Sequence, residues 1–388
     1  MGEWKEYKLG ELTIDGKGSY GIAASAVGFD VNKYTYLRIT DINDDGTINK
    51  DGLKSVDDVN ASNYLLKPND IVFARTGASV GRSYFYDGKD GEFVYAGFLI
   101  KYSIDPNKVN PKILKYYTHS QSYYDWIVSV DNGATRGNIN AQTYASMPIM
   151  LPERKRQDEI VSILSSLDDK IDLLHRENAT LEAMAETLFR QWFIEEVKED
   201  WEEVSLTKIA NFLNGLACQK YPPKNDIEKL PVLKIRELSN GIGNDSDWAT
   251  ANVASEYIIH AGDVIFAWSA SLMVKIWDGE DCILNQHLFK VTSYRFPKWF
   301  YYLWCKHHLN EFIAIAQGHA TTMGHIKRSD LESAIVLVPS GKELMMMDEH
   351  IDVLLRKVEN NNRQLRTLIK VRNGLLPKLM NKEITIDE

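Results

Sequence analysis

The sequence has few cysteines and no long apolar run, and each lack excludes a class of protein. Cys218, Cys282 and Cys305 are scattered without a Cys-x-x-Cys pair, so we expect reduced thiols rather than disulfides or a zinc site. No stretch of about 18 apolar residues is present, which argues against a membrane span. The N-terminus lacks a basic region followed by an apolar one. We therefore expect no signal peptide and a cytoplasmic protein.

An excess of positive charge is also missing. The 388 residues carry a formal net charge of −9 at pH 7. Taken alone, this charge argues against a nucleic-acid binder. The charge that matters for DNA is the charge at the contact surface, because that surface displaces the counterions. An acidic chain is therefore compatible with local DNA binding, if basic partner subunits supply the remaining contacts to DNA.

The motifs of common catalytic centres are absent as well. The sequence has no Asn-Pro-Pro-aromatic methylation motif, since Tyr221-Pro222-Pro223-Lys224 does not qualify. It also lacks a GxxxxGK[ST] phosphate loop, an HExxH zinc motif and a GxSxG nucleophile elbow. Acidic pairs such as Asp44-Asp45 are typical of surface turns. We expect no catalytic residue, metal site or cofactor in this chain.

What the sequence does contain is an internal duplication. The offset between the copies falls from 197 residues at the first segment to 187 at the last, so loops differ in length while the framework is kept. The repeated segments, in the same order in both copies, are Trp4–Leu9 and Trp201–Leu206, Tyr36–Ile39 and Val232–Ile235, Tyr64–Ala74 and Tyr257–Ala267, Thr135–Ile139 and Thr322–Ile326, and Leu151-Pro152 and Val338-Pro339.

The first part of each copy has the pattern of a globular domain with strands and helices. Short runs rich in Val, Ile, Tyr and Phe, such as Asp70–Ala74 and Phe93–Tyr102, are separated by Gly, Asn and Asp, which predicts strands joined by turns. Pro111–Tyr117 and Pro297–Tyr302 have proline in the first turn of a predicted helix. The globular parts are therefore predicted to be mixed α/β.

The second part of each copy is predicted to be a long helix with a coiled-coil seam. Apolar residues recur at alternating spacings of four and three, with Asn178, Asn361 and Arg372 at polar places. Ser340–Glu343 has the form of a capping box that starts the second helix, and Pro377 is expected to end or kink it. The seam consists of Ile160, Leu164, Leu167, Ile171, Leu174, Leu181 and Leu188 in the first helix and Ile351, Leu354, Val358, Leu365, Leu368 and Leu375 in the second.

These patterns predict an α+β chain of two similar domains, each followed by a long helix. Each helix needs a partner for its apolar stripe, and the nearest partner is the other copy. Pairing of the two copies with pseudo-two-fold symmetry makes the helices an antiparallel coiled coil. The seam alone is equally consistent with a dimerisation or spacer device. Proteins with two-fold symmetry also recognise DNA half-sites about one helical turn apart, and two divergent copies would recognise half-sites of different sequence.

The ordered motifs resemble the specificity subunits of Type I restriction–modification enzymes over nearly the whole chain. The resemblance is carried by Trp4 with Leu9–Leu12, Leu66–Ala74 with its echo, the helix starts Leu151–Glu153 and Val338–Ser340, and the helix ends Leu188–Phe193 and Gly374–Ile384. It implies target-recognition domains at residues 1–152 and 198–339, a central spacer helix at 153–197 and a C-terminal spacer helix at 340–388. Met345–Met347 and Asn360–Asn362 make the second helix less regular than the first.

The resemblance also implies function and partners. The chain would recognise an asymmetric bipartite site in double-stranded DNA and dock two adenine methyltransferase subunits and the restriction subunits. S-adenosylmethionine, ATP and Mg²⁺ would bind to those partners. The alternatives are a coiled-coil assembly protein without DNA recognition, and a fused restriction–methylation enzyme, against which the missing motifs argue.

Base readout needs side chains that present donors and acceptors to the groove edges. Two polar loops in each copy carry such side chains, although each is equally interpretable as an ordinary turn. His307-His308 is expected on a solvated helix. The candidate DNA-binding residues are Arg75, Thr76, Ser79, Arg82, Thr135, Arg136 and Asn138 in the first copy and Ser269, His319, Thr322, His325 and Lys327 in the second.

Overall fold

The computed structural model of the chain describes residues 4–130, 138–318, 324–381 and 383. The chain forms two compact units, one of residues 1–169 with 369–388 and one of residues 170–368. Within the described residues, no helix has the length and apolar character that crossing a membrane requires.

The first unit contains two four-stranded sheets and a separate strand pair. One sheet has the order β2-β9-β6-β7 and the other β3-β5-β4-β8, and β1 pairs with β10. Neighbouring strands are antiparallel except β4 and β8, which are parallel. The elements are β1 Lys5–Lys8, β2 Ser19–Tyr20, β3 Ala26–Val27, β4 Thr35–Leu37, β5 Lys54–Val56, β6 Asp70–Ala74, β7 Ser83–Tyr86, β8 Phe93–Tyr95, β9 Leu99–Ser103, α1 Lys112–Tyr117, α2 Gln121–Val130, α3 Ala141–Ala145, β10 Pro148–Leu151 and the long helix α4 Arg154–Arg190.

The second unit repeats this plan after a π-helical turn at Gln191–Glu195. Its sheets have the orders β12-β19-β16-β17 and β14-β13-β18-β15, and β11 pairs with β20. The elements are β11 Glu202–Ser205, α5 Leu206–Ile209, β12 Asn211–Asn214, β13 Lys229–Leu233, α6 Ile235–Asn240, β14 Trp248–Thr250, β15 Ile258–Ile259, β16 Val264–Ala267, β17 Met273–Ile276, β18 Cys282–Leu284, β19 Leu288–Thr292, α7 Lys298–His307, α8 Leu309–Gly318, α9 Arg328–Ser333, β20 Ile335–Val338 and the long helix α10 Gly341–Met380.

The predicted duplication is confirmed by this shared topology. Strands β12, β19, β16 and β17 occur in the same order as β2, β9, β6 and β7, and the parallel pair β13–β18 repeats β4–β8. The copies differ at the sheet edges, where the first has β3 and the second β15. The mixed α/β fold class is confirmed with it.

The turn before the central strand shows why the repeated sequence folds alike. Asn69 has a φ of +76° and Gly262, at the equivalent place, a φ of +100°. Both residue types tolerate this left-handed conformation. The carboxylate of the next residue closes the turn. Asp70 accepts a hydrogen bond from the backbone N–H of Lys67, and Asp263 accepts one from that of His260, each at 2.8 Å.

The first long helix runs from Arg154 to Arg190 and the second from Gly341 to Met380. Helix α4 has 37 residues and α10 has 40. The capping box forms, because the Ser340 N–H donates to Glu343 Oε2 at 3.1 Å and the Glu343 N–H donates to Ser340 Oγ at 3.4 Å. Helix α10 ends at Met380, one turn beyond Pro377.

Within each unit the two long helices pack against each other in antiparallel fashion. In the second unit, Asn178 bonds to Asn361, and Trp192 lies against His350, so partner numbers fall as numbers along α4 rise. In the first unit, Arg372 donates to Asp168 at 3.2 Å, and Ile160 shares a core with Leu379. The predicted antiparallel pairing of the helices is confirmed in both units.

The proposed seam positions are covered to different degrees. The buried ones are Ile160, Leu164, Ile171, Leu174, Ile351, Val358 and Leu365. The half-buried ones are Leu167, Leu181, Leu188, Leu354, Leu368 and Leu375.

A polar layer interrupts the seam in the second unit. Asn361 is fully buried, and its amide donates to Asn178 Oδ1 and to Glu177 Oε2, each at 2.9 Å. Asn178 in turn donates to Asn362 Oδ1 at 2.7 Å. The Oδ1 atom of Asn361 is buried without a hydrogen-bond partner among the described residues.

Candidate nucleic-acid interface

Arg75 follows the end of strand β6, and backbone hydrogen bonds on both sides hold it in place. The Arg75 N–H donates to Phe98 O at 3.0 Å, and its carbonyl accepts the Ile139 N–H at 2.9 Å. The guanidinium carbon lies 5.1 Å from the centre of the Tyr20 ring, which positions the charge by a cation–π contact. The Nε atom is buried without a partner among the described residues, and no carboxylate there forms an ion pair with Arg75. Within the part of the chain that the structure describes, its guanidinium therefore has no carboxylate partner.

The end of strand β16 presents Trp268 in the same frame. The Trp268 N–H points to His287 O at 3.4 Å, and its carbonyl accepts the Ile326 N–H at 3.1 Å. The indole N–H donates to Asn214 Oδ1 at 3.1 Å, and the ring stacks on Phe289 at 5.7 Å. Arg75 with Tyr20 in the first copy is therefore replaced by Trp268 with Asn214 in the second.

The residues that follow extend both frames. Thr76 forms an antiparallel bridge with Asn138, and Ser269 forms the equivalent bridge with His325. Ser269 Oγ lies 3.2 Å from His287 Nδ1, and the rings of His287 and His325 lie 6.0 and 6.3 Å from that of Trp268. Four of the predicted residues, Thr76, Asn138, Ser269 and His325, are thus brought next to the strand ends.

Other predicted residues lie elsewhere or are occupied. Ser79 is buried in the turn after Thr76. Arg82 donates to Asp44 Oδ1 at 2.6 Å and to Ile42 O at 3.0 Å, so its guanidinium is partly used within the fold. Lys327 is exposed at the start of α9. The remaining candidates, Thr135, Arg136, His319 and Thr322, lie outside the described residues.

The expectation of a solvated His307-His308 helix was wrong for His308. This residue is buried, with Nε2 2.9 Å from Ile335 O, and its ring stacks on Trp304 at 5.8 Å. His307 is exposed, as expected, although desolvation by its neighbours lowers its pKa. Only His308 is packed into the core at the end of α7.

Sequence reasoning missed Tyr20 and Asn214. Each precedes a glycine, Gly21 or Gly215, that passes very close to a neighbouring strand. A Cβ on Gly21 would lie 2.3 Å from Ala96 O, and one on Gly215 would lie 2.2 Å from Asn285 O. The shared Gly-(Ile/Leu)-Ala signal after both residues places them at equivalent positions.

The chemistry of the strand ends suits recognition of a polar, planar ligand. A free guanidinium pairs in bidentate fashion with guanine O6 and N7, whereas an indole offers an apolar face to a thymine methyl. Among the described residues, no cluster of His, Cys, Asp and Glu could hold a metal ion. Burial raises the pKa of the Cys282 and Cys305 thiols, which makes them poor nucleophiles.

Comparison with known proteins gives consistent matches. A model of the family described as Type I restriction modification DNA specificity domain matches residues 1–183 and again 198–370. The Type I restriction enzyme MjaIX specificity subunit of Methanocaldococcus jannaschii is 24% identical over 312 residues, which are 74% of this chain and 72% of that protein. The HindI specificity subunit of Haemophilus influenzae is 27% identical over 202 residues, 50% of this chain and 42% of that protein.

The fold also matches a solved structure. The S subunit of a Type I restriction–modification system from M. genitalium superposes with a TM-score of 0.58 at 15% identity, covering 97% of this chain and 96% of that one. At this identity the match concerns the fold alone.

Proposed function

The chain belongs to the family of Type I restriction modification DNA specificity proteins, and on this basis we propose that it recognises an asymmetric, bipartite site in double-stranded DNA. Residues 1–152 would read one half-site and residues 198–339 the other. The resemblance inferred from the sequence is confirmed by the two family matches.

The observation that carries this proposal is the exchange of Arg75 and Tyr20 for Trp268 and Asn214. Both pairs are held by the same backbone hydrogen bonds at the end of the same strand. Two domains that recognise different DNA sequences need the same backbone arrangement with different side chains at its contact positions. A coiled-coil assembly protein without DNA recognition would have no use for a half-buried Arg75 that has no carboxylate partner among the described residues.

The two long helices, within 153–197 and 340–388, would act as a spacer that fixes the gap between the half-sites. Their outer faces would dock two methyltransferase subunits and the restriction subunits. We place adenine methylation, ATP-dependent cleavage and the binding of S-adenosylmethionine, ATP and Mg²⁺ on those partners. The complex would act in the cytoplasm, and this chain would contribute no catalytic group.

The proposal is tested by mapping adenine methylation in cells that express the chain with its neighbouring methyltransferase, against cells that lack the chain. We expect a split motif with a fixed gap only when the chain is present. Unchanged methylation in both strains, despite a folded chain that binds its methyltransferase, would contradict the proposal.

The R75A variant then tests the assignment of one half-site to the first domain. We expect discrimination at one position of one half-site to fall by about 1–3 kcal/mol, the value of one bidentate base contact, while the other half-site is unchanged. K54A is the matched control, because Lys54 is exposed on β5 and its loss removes the same charge. Equal relaxation of both half-sites would refute the assignment.

A further inference from the structure

A groove of about 530 Å³ lies in the second unit beside the edge strand β12. Its floor is aromatic and includes Phe212, Trp268 and Phe289. Lys208, Arg295 and Arg328 line it as well, and all three are exposed. The groove therefore combines an apolar floor with a cationic rim.

The rim charges are largely unpaired. The lining contains no Asp or Glu. Among the described residues, neither Lys208 nor Arg295 forms an ion pair, and Arg328 approaches only the exposed Glu332, at 3.9 Å. Such an exposed contact is weak. Three cations around one groove stand out in a chain with a net charge of −9.

The first unit lacks two of these three charges at the equivalent places. Leu9 and Leu206 make equivalent backbone bonds, to Met147 O and Ala334 O, and two residues after each stand Glu11 and Lys208. Three residues after the bridging Asn138 and His325 stand Ala141 and Arg328. The positive charges of Lys208 and Arg328 are therefore a property of the second copy and not of the shared framework.

We propose that this groove binds the sugar–phosphate backbone of the duplex that flanks the half-site of the second domain. The proposal rests on the function proposed above and assigns a ligand to the surface that adjoins the base-reading positions. Charge favours an anionic ligand, and continuity favours DNA, because Trp268 and Asn214 belong both to the groove and to the strand end. Deoxyribose rings would cover the aromatic floor while phosphates meet the rim.

The two domains then bind DNA unequally. The second domain supplies most of the salt-dependent, sequence-independent affinity, and the first depends more on base contacts. Each phosphate contact contributes about 0.9 to the slope of log K against log salt concentration. Loss of three contacts should lower the slope by roughly 2.7 and weaken binding roughly 100-fold at 0.15 M salt.

The test measures binding of the full chain to a fluorescent 30-base-pair duplex of random sequence (a length of about three helical turns) between about 50 and 200 mM NaCl. The variant is K208Q/R295Q/R328Q. The control K220Q/K224Q/K342Q removes the same charge from exposed positions outside the groove. We expect the slope of log K against log salt concentration to fall in the groove variant. In the control it should change by less than the value of one phosphate contact, about 0.9.

Each other outcome has a defined meaning. An unchanged slope in the groove variant overturns the proposal, and so does an equal fall in the control. If duplex binding is unchanged but the variant no longer binds its methyltransferase, an acidic polypeptide occupies the groove instead. If the wild-type chain binds no duplex at any salt concentration, it is the proposed function that fails. Circular dichroism spectra matching the wild type establish that both variants are folded.

Discussion

Replacing the buried asparagine layer of the helix pair by leucine should produce a non-additive change in stability. Asn361 is fully buried, with one amide oxygen unpartnered and its nitrogen shared between Asn178 and Glu177. One turn away along each helix, Leu174 and Leu365 are buried. A pair of leucines at 178 and 361 should therefore fit the same spacing.

The magnitude follows from the contacts. N178L removes the hydrogen bonds to Asn361 and Asn362, each with a net value of about 0.5–1.5 kcal/mol, and we expect it to lower the free energy of unfolding by about 1–2 kcal/mol. N178L/N361L also removes the buried, unpartnered Oδ1, whose desolvation costs about 1–3 kcal/mol. The double variant should be at least as stable as the wild type, with a coupling energy of about 2 kcal/mol.

The assay is urea unfolding followed by tryptophan fluorescence. All tryptophans except Trp4 and Trp126 lie between residues 170 and 368, so the signal reports mainly on the second unit. N360L is the control, because Asn360 is exposed beside the layer and its replacement should change stability little. Additive effects of the single changes N178L and N361L, or a double variant less stable than N178L, would refute the reasoning.

Three further predictions concern single residues. Burial lowers the pKa of His119 to about 4, so the unfolded state takes up a proton near pH 6.5 before the folded state does. The free energy of unfolding should therefore fall as the pH drops from 6.5 to 4. The loss of Tm between pH 7 and pH 5 should be smaller in H119Q than in the wild type. S340A breaks the capping box and should cost about 1 kcal/mol in urea unfolding, whereas S329A, at an exposed position of α9, should cost little. F266A empties a fully buried site and should cost about 3–5 kcal/mol, and a cost no larger than that of F289A, at a half-buried site, would contradict this.

The periodic parts of the fold were predictable because their pattern reports burial directly. A heptad repeat shows which face of a helix is covered, and an antiparallel partner followed from the duplication. The Ser340–Glu343 box gave the start of α10 to within one residue, because side-chain capping is a local interaction.

The order of the strands was not predictable in the same way. Short apolar runs such as Phe93–Tyr95 are compatible with several partners, and the parallel pairing of β8 with β4 depends on contacts between distant segments. His308 was misjudged for a similar reason. Its ring partner Trp304 lies one turn earlier in α7, but its contact with Ile335 O, at the start of β20, is visible only in the folded chain.

For the candidate site, sequence reasoning found the loops but not the partners that position them. Arg75 was chosen from its loop, whereas Tyr20 lies 55 positions earlier and was missed, because a cation–π contact across a sheet leaves no local pattern. The base-reading role of all these residues stays a prediction until methylation maps of the variants exist.

The pairing of β1 with β10 and of β11 with β20 has a consequence for how such chains diversify. Each globular domain begins and ends on adjacent antiparallel strands, Lys5 opposite Leu151 in one and Glu202 opposite Val338 in the other. The residues between the paired strands therefore leave the rest of the chain and return to it at the same place. Under the proposed function, replacing the segment between the paired strands by another that keeps this strand pair would change the DNA preference of one domain and leave the long helices as they were.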